Sequence, residues 1–211
     1  MTATAEHSHR VVSDDAADVG ELLTSRVAGS FTYHDLVTLS ALEVRRLEVT
    51  EGGNLSMMSP SRVRHTRAID DLRDWLREHG YDRERLEWDK VLITGERGGR
   101  VPDLIVVRDD VELGDDKIAF VPAETLVVLE VESPEPEDVD RDRVTKHRVY
   151  AHVGVPTYWR VEFDDAELPW LNVYFLDADG TAYGEAVTRR PLADVLRDKP
   201  AGFIRPDRWP G

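Results

Sequence analysis

The stretch LVVLEVESPEP, residues 126–136, decides the fold because it begins as an apolar strand and ends in acids. Its first four residues are apolar enough to be buried on both faces, as in a central strand of an α/β sheet. Side chains alternate across a strand, and one face is expected to carry Leu126, Val128, Glu130 and Glu132. A buried strand that ends in two carboxylates needs positive charge nearby, since uncompensated buried charges are costly.

The segments around this strand predict an α/β domain with a mixed or largely antiparallel central sheet flanked by helices. Strand patterns occur at residues 86–93, 101–107, 126–132, 157–163 and 171–176, and helix patterns at about 61–79 and 139–153. Gly52 and Gly53 lie between two short extended segments and predict a hairpin. A doubly wound fold would need more alternating βα units than the sequence contains.

Length and composition fit one domain of ordinary size. The chain has 211 residues, of which 41% are hydrophobic. Residues 1–29 are rich in Ala, Ser, Thr and Asp without sustained periodicity, so we expect a flexible N-terminal arm before a single domain at 30–211. Cysteine is absent, which excludes disulfides, thiolate nucleophiles and cysteine zinc sites. The sequence shows no long apolar run and no signal-peptide pattern, and we expect a cytoplasmic protein that does not enter membranes.

The net charge argues against strong nonspecific binding to nucleic acid. The chain has 27 basic and 42 acidic residues, which gives a net charge of -15. Phosphate contacts require Lys and Arg, so such binding would depend on a local basic groove. Arginine-rich segments at residues 62–73 and 141–148 could line one.

Two carboxylates are expected to meet at one edge of the sheet. Asp103 begins one strand and Glu130 ends another. If these strands are antiparallel neighbours, the start of the first lies beside the end of the second. Two carboxylates side by side would repel each other without a positive partner. A divalent cation would satisfy them, because magnesium typically binds through one or two carboxylates and several waters.

The helix at about 139–153 supplies a further positive group. Asp142 and Lys146 lie on the helical stripe where the periodicity predicts apolar side chains. A lysine on such a stripe often extends to the rim and leaves its charge in water. Because acids are expected at the strand end nearby, Lys146 is also a candidate member of a polar site. Two carboxylates, a divalent metal and a lysine are typical of phosphodiester hydrolysis.

These residues resemble the PD-(D/E)XK nuclease superfamily, with Pro102, Asp103 and Glu130 as its motif. The chain is more closely similar to the bacterial Uma-type restriction endonuclease family over about residues 47–161. The resemblance rests on Glu48 with Gly52, Met58-Ser59-Pro60, His65, Pro102-Asp103, residues 130–134, Asp142 with Lys146 and Tyr150, and residues 154–162.

The resemblance implies a restriction-endonuclease-like core, Mg²⁺ or Mn²⁺ held by Asp103 and Glu130, and DNA as the substrate. Lysine normally follows the second acid by two residues in the superfamily, but this chain has Glu132 there, so the lysine's role passes to Lys146. Glu48 and His65 match recurrent family positions and become candidate catalytic residues.

The residues also leave alternatives open around the candidate site. Glu48 fits a surface strand position equally well, and His65 fits a helix-start histidine bonded to backbone groups. Tyr150 is expected to pack in the core, and Asp142 could orient Lys146 through an ion pair.

Two other functions and one assembly state are compatible with the sequence. A catalytically inactive nuclease-fold module for binding or oligomerisation is the main alternative, favoured by Glu132 and the acidic surface. A sugar hydrolase that uses the two acids is the weakest reading. A homodimer suits the fold, although no segment specifies one.

Overall fold

A computed structural model describes residues 19, 21–42, 47–58, 60–133 and 141–204, with only the backbone of residues 141 and 142. The strands are β1 (Leu47–Val49), β2 (Leu55–Met57), β3 (Leu86–Glu87), β4 (Val91–Ile93), β5 (Gly99–Arg100), β6 (Leu104–Val107), β7 (Ala119–Phe120), β8 (Thr125–Val131), β9 (Thr157–Phe163), β10 (Pro169–Phe175) and β11 (Thr188–Pro191). The helices are α1 (Tyr33–Ala41), α2 (Val63–Glu78), α3 (His147–His152) and α4 (Leu192–Val195), with π-helical Arg141–Lys146 leading into α3 and 3₁₀ turns at Arg83–Arg85, Pro122–Glu124 and Pro200–Gly202.

The central sheet is mixed, as the sequence predicts. Its strand order is β11-β10-β9-β8-β6-β3. Strand β8 is antiparallel to β6, where Leu104 pairs with Leu129, and parallel to β9, where Val128 pairs with Tyr158. The prediction of an α/β domain with a mixed central sheet and flanking helices is therefore confirmed. The antiparallel pairing of β6 and β8 brings the start of one strand to the end of the other.

A register shift changes which face one residue of β8 occupies. The pairing of β6 and β8 shifts between Val106 and Val107. Leu126 consequently packs with the cluster that contains Val127 and Leu129 rather than with the one that contains Val128. The predicted face is wrong for Leu126, because the irregularity interrupts strict alternation.

Each face of the central sheet is covered by a helix. On one face, α2 contributes Leu72, Trp75 and Leu76, each at most 3% exposed, to a cluster with β6 and β8. On the other face, α3 contributes Val149 and Tyr150 to a cluster that includes Val128. Burial on both faces explains the uninterrupted apolar run in β8.

A second sheet, ordered β2-β1-β5-β4-β7, packs beside the central one. The sequence predicts a single strand over residues 86–93, but β3 belongs to the central sheet and β4 to the second. Between them Asp89 adopts a φ of 54°, which turns the chain out of extended geometry. The same separation divides β5 from β6, so Pro102-Asp103 connects the two sheets.

The N-terminal arm lies mostly outside the described residues. Its described end includes a helical segment at 21–25, and Leu22 packs against a cluster that contains Leu36 and Leu39. The arm at 1–29 and the domain at 30–211 stay predictions. Residues 139–140 of the predicted helix also lie outside the described part, whereas its remainder is helical. No helix among the described residues is long and apolar enough to cross a membrane.

Candidate active site

Asp103 lies where the two sheets meet, immediately before β6. Because Leu104 pairs with Leu129, the next step of the register sets Asp103 across from Glu130. One Asp103 oxygen, Oδ2, accepts a hydrogen bond of 2.7 Å from the backbone N–H of Val131 and lies 3.2 Å from Nε2 of His65. The start of β6 therefore lies beside the end of β8, and the Asp103 carboxylate contacts His65 of α2.

Lys146 is buried between two glutamates. Its Nζ lies 2.8 Å from Oε2 of Glu130 and 3.1 Å from Oε1 of Glu48, and the lysine side chain is only 1% exposed. Glu48 comes from β1 of the second sheet and Glu130 from β8 of the central sheet. The ammonium group thus links the two sheets. Lys146 does not extend to the rim, and Glu48 is not a surface residue, because both side chains are buried.

Tyr150 packs in the core as expected and also contacts the acid cluster. Its hydroxyl donates a 2.5 Å hydrogen bond to Oε1 of Glu130. Burial, followed by the nearby carboxylates of Glu130 and Glu48, raises the pKa of Tyr150 well above its usual value of 10.0. The phenol therefore stays protonated and can donate its hydrogen to the carboxylate.

Arg100 balances the charge of Glu48 on the side away from Lys146. Its guanidinium lies 3.4 Å from Glu48 and makes hydrogen bonds of 2.6 and 3.2 Å to Glu51. Burial alone would lower the pKa of Arg100, but the two glutamates raise it above its usual value. Glu48 also accepts a 3.2 Å hydrogen bond from the backbone of Val101. The buried cations Lys146 and Arg100 therefore offset the buried Glu48 and Glu130 together with the part-exposed Glu51.

Glu132 belongs to a separate arginine network. Arg143 donates two hydrogen bonds, of 2.7 and 2.9 Å, to its two oxygens, and Nε of Arg160 lies 3.1 Å away. The hydrogen bond to Glu132 raises the pKa of Arg143. Both carboxylate oxygens of Glu132 are thus directed at arginines, whereas Lys146 contacts Glu130.

Asp103 and Glu130 suit a divalent cation by donor chemistry. Asp103 uses Oδ2 for its contacts with Val131 and His65, and its side chain, 13% exposed, lines a pocket that water can enter. Each carboxylate oxygen can accept more than one bond, so the contacts of Glu130 with Lys146 and Tyr150 do not by themselves use all its lone pairs. Within the described ranges no group of three or more His, Asp or Glu side chains could hold a metal. Magnesium needs only one or two carboxylates, because waters complete its shell.

Comparison with known proteins assigns the chain to a family. Residues 33–198 match the model of Uma2, which is described as "Putative restriction endonuclease". The chain belongs to the Uma2 family. It is also similar to the structure described as "Crystal structure of a putative nuclease belonging to DUF820 from Anabaena variabilis ATCC 29413", with 13% identity, a TM-score of 0.47, and coverage of 72% of this chain and 89% of that one. No curated protein matches.

In this Uma2-family chain the five candidate residues form two contact groups. Lys146 contacts Glu130 and Glu48, and Asp103 contacts His65 and the backbone of Val131, which follows Glu130. The proposed pairing of Asp142 with Lys146 lies outside the described side chains.

Sequence reasoning missed Arg100 and the hydroxyl contact of Tyr150 in this Uma2-family site. Arg100 lies in a two-residue strand after a glycine-rich turn, and such a short segment carries no readable alternation. Glu48 offered an indirect signal for Arg100, since a glutamate that is buried requires a nearby cation.

Proposed function

We propose that this chain is a Mg²⁺- or Mn²⁺-dependent endonuclease that hydrolyses phosphodiester bonds of DNA. The observation that carries the proposal is the buried ammonium of Lys146, held 2.8 Å from Glu130 on the strand next to Asp103. Two carboxylates beside a lysine supply the donors and the positive charge that phosphodiester hydrolysis requires. Membership of the Uma2 family supports the same reaction class.

Asp103 and Glu130 are the proposed metal ligands. When bound, the ion would polarise a phosphoryl oxygen and lower the pKa of a water molecule. The backbone N–H of Val131 and the ring of His65 fix the orientation of the Asp103 carboxylate. Tyr150 and Lys146 fix that of Glu130 in the same way. Both ligands are therefore held in place before any ion binds, which lowers the cost of assembling the site.

Lys146 is proposed to stabilise the negative charge that develops on the phosphate. An ammonium in a dry site interacts more strongly with such charge than one in water. Glu48 holds Lys146 from the second sheet and is a positioning residue. His65 is a candidate for proton transfer, because Nε2 faces Asp103 while its buried Nδ1 has no hydrogen-bond partner in the described part of the chain.

A nuclease-fold binding module is the second candidate. It is favoured by the contacts of Glu130, whose two carboxylate oxygens are already engaged by Lys146 and Tyr150. If those contacts do not yield to a metal, the cluster serves stability alone. Such a protein would bind nucleic acid or a partner without cutting.

Cleavage assays with purified protein test the proposal. Supercoiled plasmid and single-stranded DNA are incubated with Mg²⁺, Mn²⁺ or EDTA, using wild type, Asp103→Asn and Lys146→Arg. We expect metal-dependent cutting by wild type and a loss of at least about a hundredfold in both variants, since Asp103→Asn removes a proposed metal ligand and Lys146→Arg replaces the ammonium proposed to face the phosphate with a larger group.

The matched control is Asp110→Asn, which removes an exposed aspartate paired with Arg108 away from the site. It should cut like wild type. Calorimetry with Mn²⁺ gives a second readout, in which Asp103→Asn should lose binding. Wild type that neither cuts DNA nor binds metal would contradict the nuclease proposal and leave the binding module.

A further inference from the structure

A polar pocket extends from Asp103 along one side of α2. Its lining includes His65, Asp70 and Arg73 of the helix and Trp88 and Asp89 of the loop between β3 and β4. His65 and Arg73 are eight residues apart, which corresponds to about 12 Å along a helix. One end of the pocket is therefore formed by Asp103, a proposed metal ligand, and the other end by Arg73 and Trp88.

Among the described residues, the hydrogen bonding of Arg73 is incomplete. Its Nε is buried and has no hydrogen-bond partner among the described residues. Its nearest carboxylate, on Asp70, lies 3.6 Å from Nη1, which is beyond hydrogen-bonding distance. Buried donors are normally satisfied, so Arg73 is a side chain of this pocket whose hydrogen bonding the described residues leave incomplete.

Trp88 forms a flat platform with this arginine. The guanidinium carbon of Arg73 lies 3.9 Å from the centroid of the Trp88 ring, and the tryptophan is 42% exposed. An indole left so accessible at the mouth of a pocket is unusual for core packing. Unpaired bases stack on aromatic rings and on arginine planes, so the pair is suited to extend a stack by one base.

The charge of the pocket favours a base over a phosphate. Asp70 and Asp89 add negative charge to the wall, and the whole chain has a net charge of -15. Carboxylates repel phosphates but accept hydrogen bonds from the amino groups of bases, while arginine donates to their oxygen and nitrogen acceptors. A protein with few phosphate contacts must obtain more of its DNA affinity from such base contacts.

We propose that this pocket seats an unpaired nucleobase next to the scissile phosphate, stacked on the Trp88–Arg73 pair. The inference rests on the proposed nuclease function, because it assumes that the DNA is cleaved at the end of the pocket where Asp103 lies. Such a pocket selects DNA with an unpaired base, such as a single strand or a loop, over a fully paired duplex.

Binding measurements test the pocket separately from cleavage. Fluorescence anisotropy follows a labelled single-stranded oligonucleotide, a hairpin loop and the matching blunt duplex, with Ca²⁺ in place of Mg²⁺ so that binding is read without turnover. For Trp88→Ala we expect at least about a fivefold loss of affinity for the unpaired probes, as for other base-stacking tryptophans. Trp88→Phe should retain most of the affinity.

The matched control is Trp170→Ala. Trp170 also lies under an arginine, Arg189, at 4.8 Å, but on β10, near the opposite end of the central sheet from β3. It should bind like wild type. A Trp88→Ala variant that keeps its fold by circular dichroism and binds unpaired DNA like Trp170→Ala would overturn the base pocket.

The two proposals fail in different ways. Metal-dependent cutting that is indifferent to Trp88→Ala would leave the nuclease standing and remove the pocket. Binding that depends on Trp88 in a protein that cuts nothing would retain the pocket and remove the nuclease. Equal binding of duplex and single strand by wild type would also contradict the selection of unpaired bases.

Discussion

At the scale of single residues, each buried charge of the site is stabilised by an opposite charge beside it. Lys146 and Arg100 are each 1% exposed, and Glu48 and Glu130 are at most 2% exposed. Removing one member of such a cluster leaves another charge buried without compensation, which costs more than the pair contributes. The polar residues that carry the proposed chemistry are thus also required for stability.

The first prediction concerns the charge of Lys146. Lys146→Met keeps the length of the side chain but removes the ammonium, so Glu48 and Glu130 lose their shared partner. We expect a loss of about 3–5 kcal/mol in the free energy of unfolding. Urea unfolding followed by circular dichroism measures it. Adding Glu130→Gln should recover part of the loss, because the double variant buries one fewer negative charge.

Lys117→Met provides the matched control for this prediction. Lys117 also pairs with a glutamate, Glu124 at 2.6 Å, but both side chains are about a quarter exposed. Exposed pairs contribute about 0–1 kcal/mol. Equal losses in Lys146→Met and Lys117→Met would show that the buried cluster does not carry the stability assigned to it.

At the scale of elements, the hairpin of β1 and β2 positions Glu48. Its turn passes through Gly53, which has a φ of +76° and whose carbonyl accepts a 3.0 Å hydrogen bond from the backbone of Phe31. A Cβ at Gly53 would lie 2.5 Å from the carbonyl oxygen of Gly29. Glycine is required here by both conformation and close packing.

The second prediction therefore concerns this turn. Gly53→Ala should lower the free energy of unfolding by more than about 1–2 kcal/mol, the usual cost of left-handed backbone, because the clash with Gly29 adds to it. Thermal and urea unfolding measure the change.

Gly52→Ala is the control for the turn. A Cβ there would meet its nearest neighbour, the side chain of Asn54, at an ordinary 3.6 Å. Its effect should stay below that of Gly53→Ala, and the reverse order would contradict the role given to Gly53.

At the scale of the whole molecule, the candidate site lies where two sheets join. Glu130 comes from the central sheet, Glu48 comes from the second sheet, and Lys146 contacts both. A ligand that binds only this assembled arrangement must stabilise the folded state, because the unfolded chain does not hold the carboxylates together.

The third prediction uses that linkage as a readout independent of activity. Mn²⁺ at about a hundred times its dissociation constant should raise the free energy of unfolding by about 2.7 kcal/mol. Differential scanning calorimetry measures the rise in melting temperature. Asp103→Asn should abolish it, whereas Asp110→Asn should retain it. An equal rise in both variants would indicate metal bound elsewhere.

Part of the candidate site could be found from the sequence, because the relevant patterns are local. Glu130 and Glu132 end an apolar strand, and Lys146 interrupts an apolar helical stripe. Misplaced polar residues of this kind mark a site whatever the sheet order. The contact of Arg100 with Glu48 could not be found in this way, since it joins residues 52 positions apart through short strands without alternation.

By itself, the sequence determined the α/β class, the central strand β8 and the helix that carries Lys146, and it predicted that Asp103 and Glu130 lie at neighbouring strand ends if β6 and β8 pair antiparallel. These follow from periodicity and from the geometry of one antiparallel pair. Only the tertiary structure decided that residues 86–93 divide between two sheets, that Glu132 binds arginines, and that Arg73 and Trp88 form a platform in the pocket that Asp103 also lines. The physical reason is that these contacts depend on how whole elements pack, which no local pattern of side chains specifies.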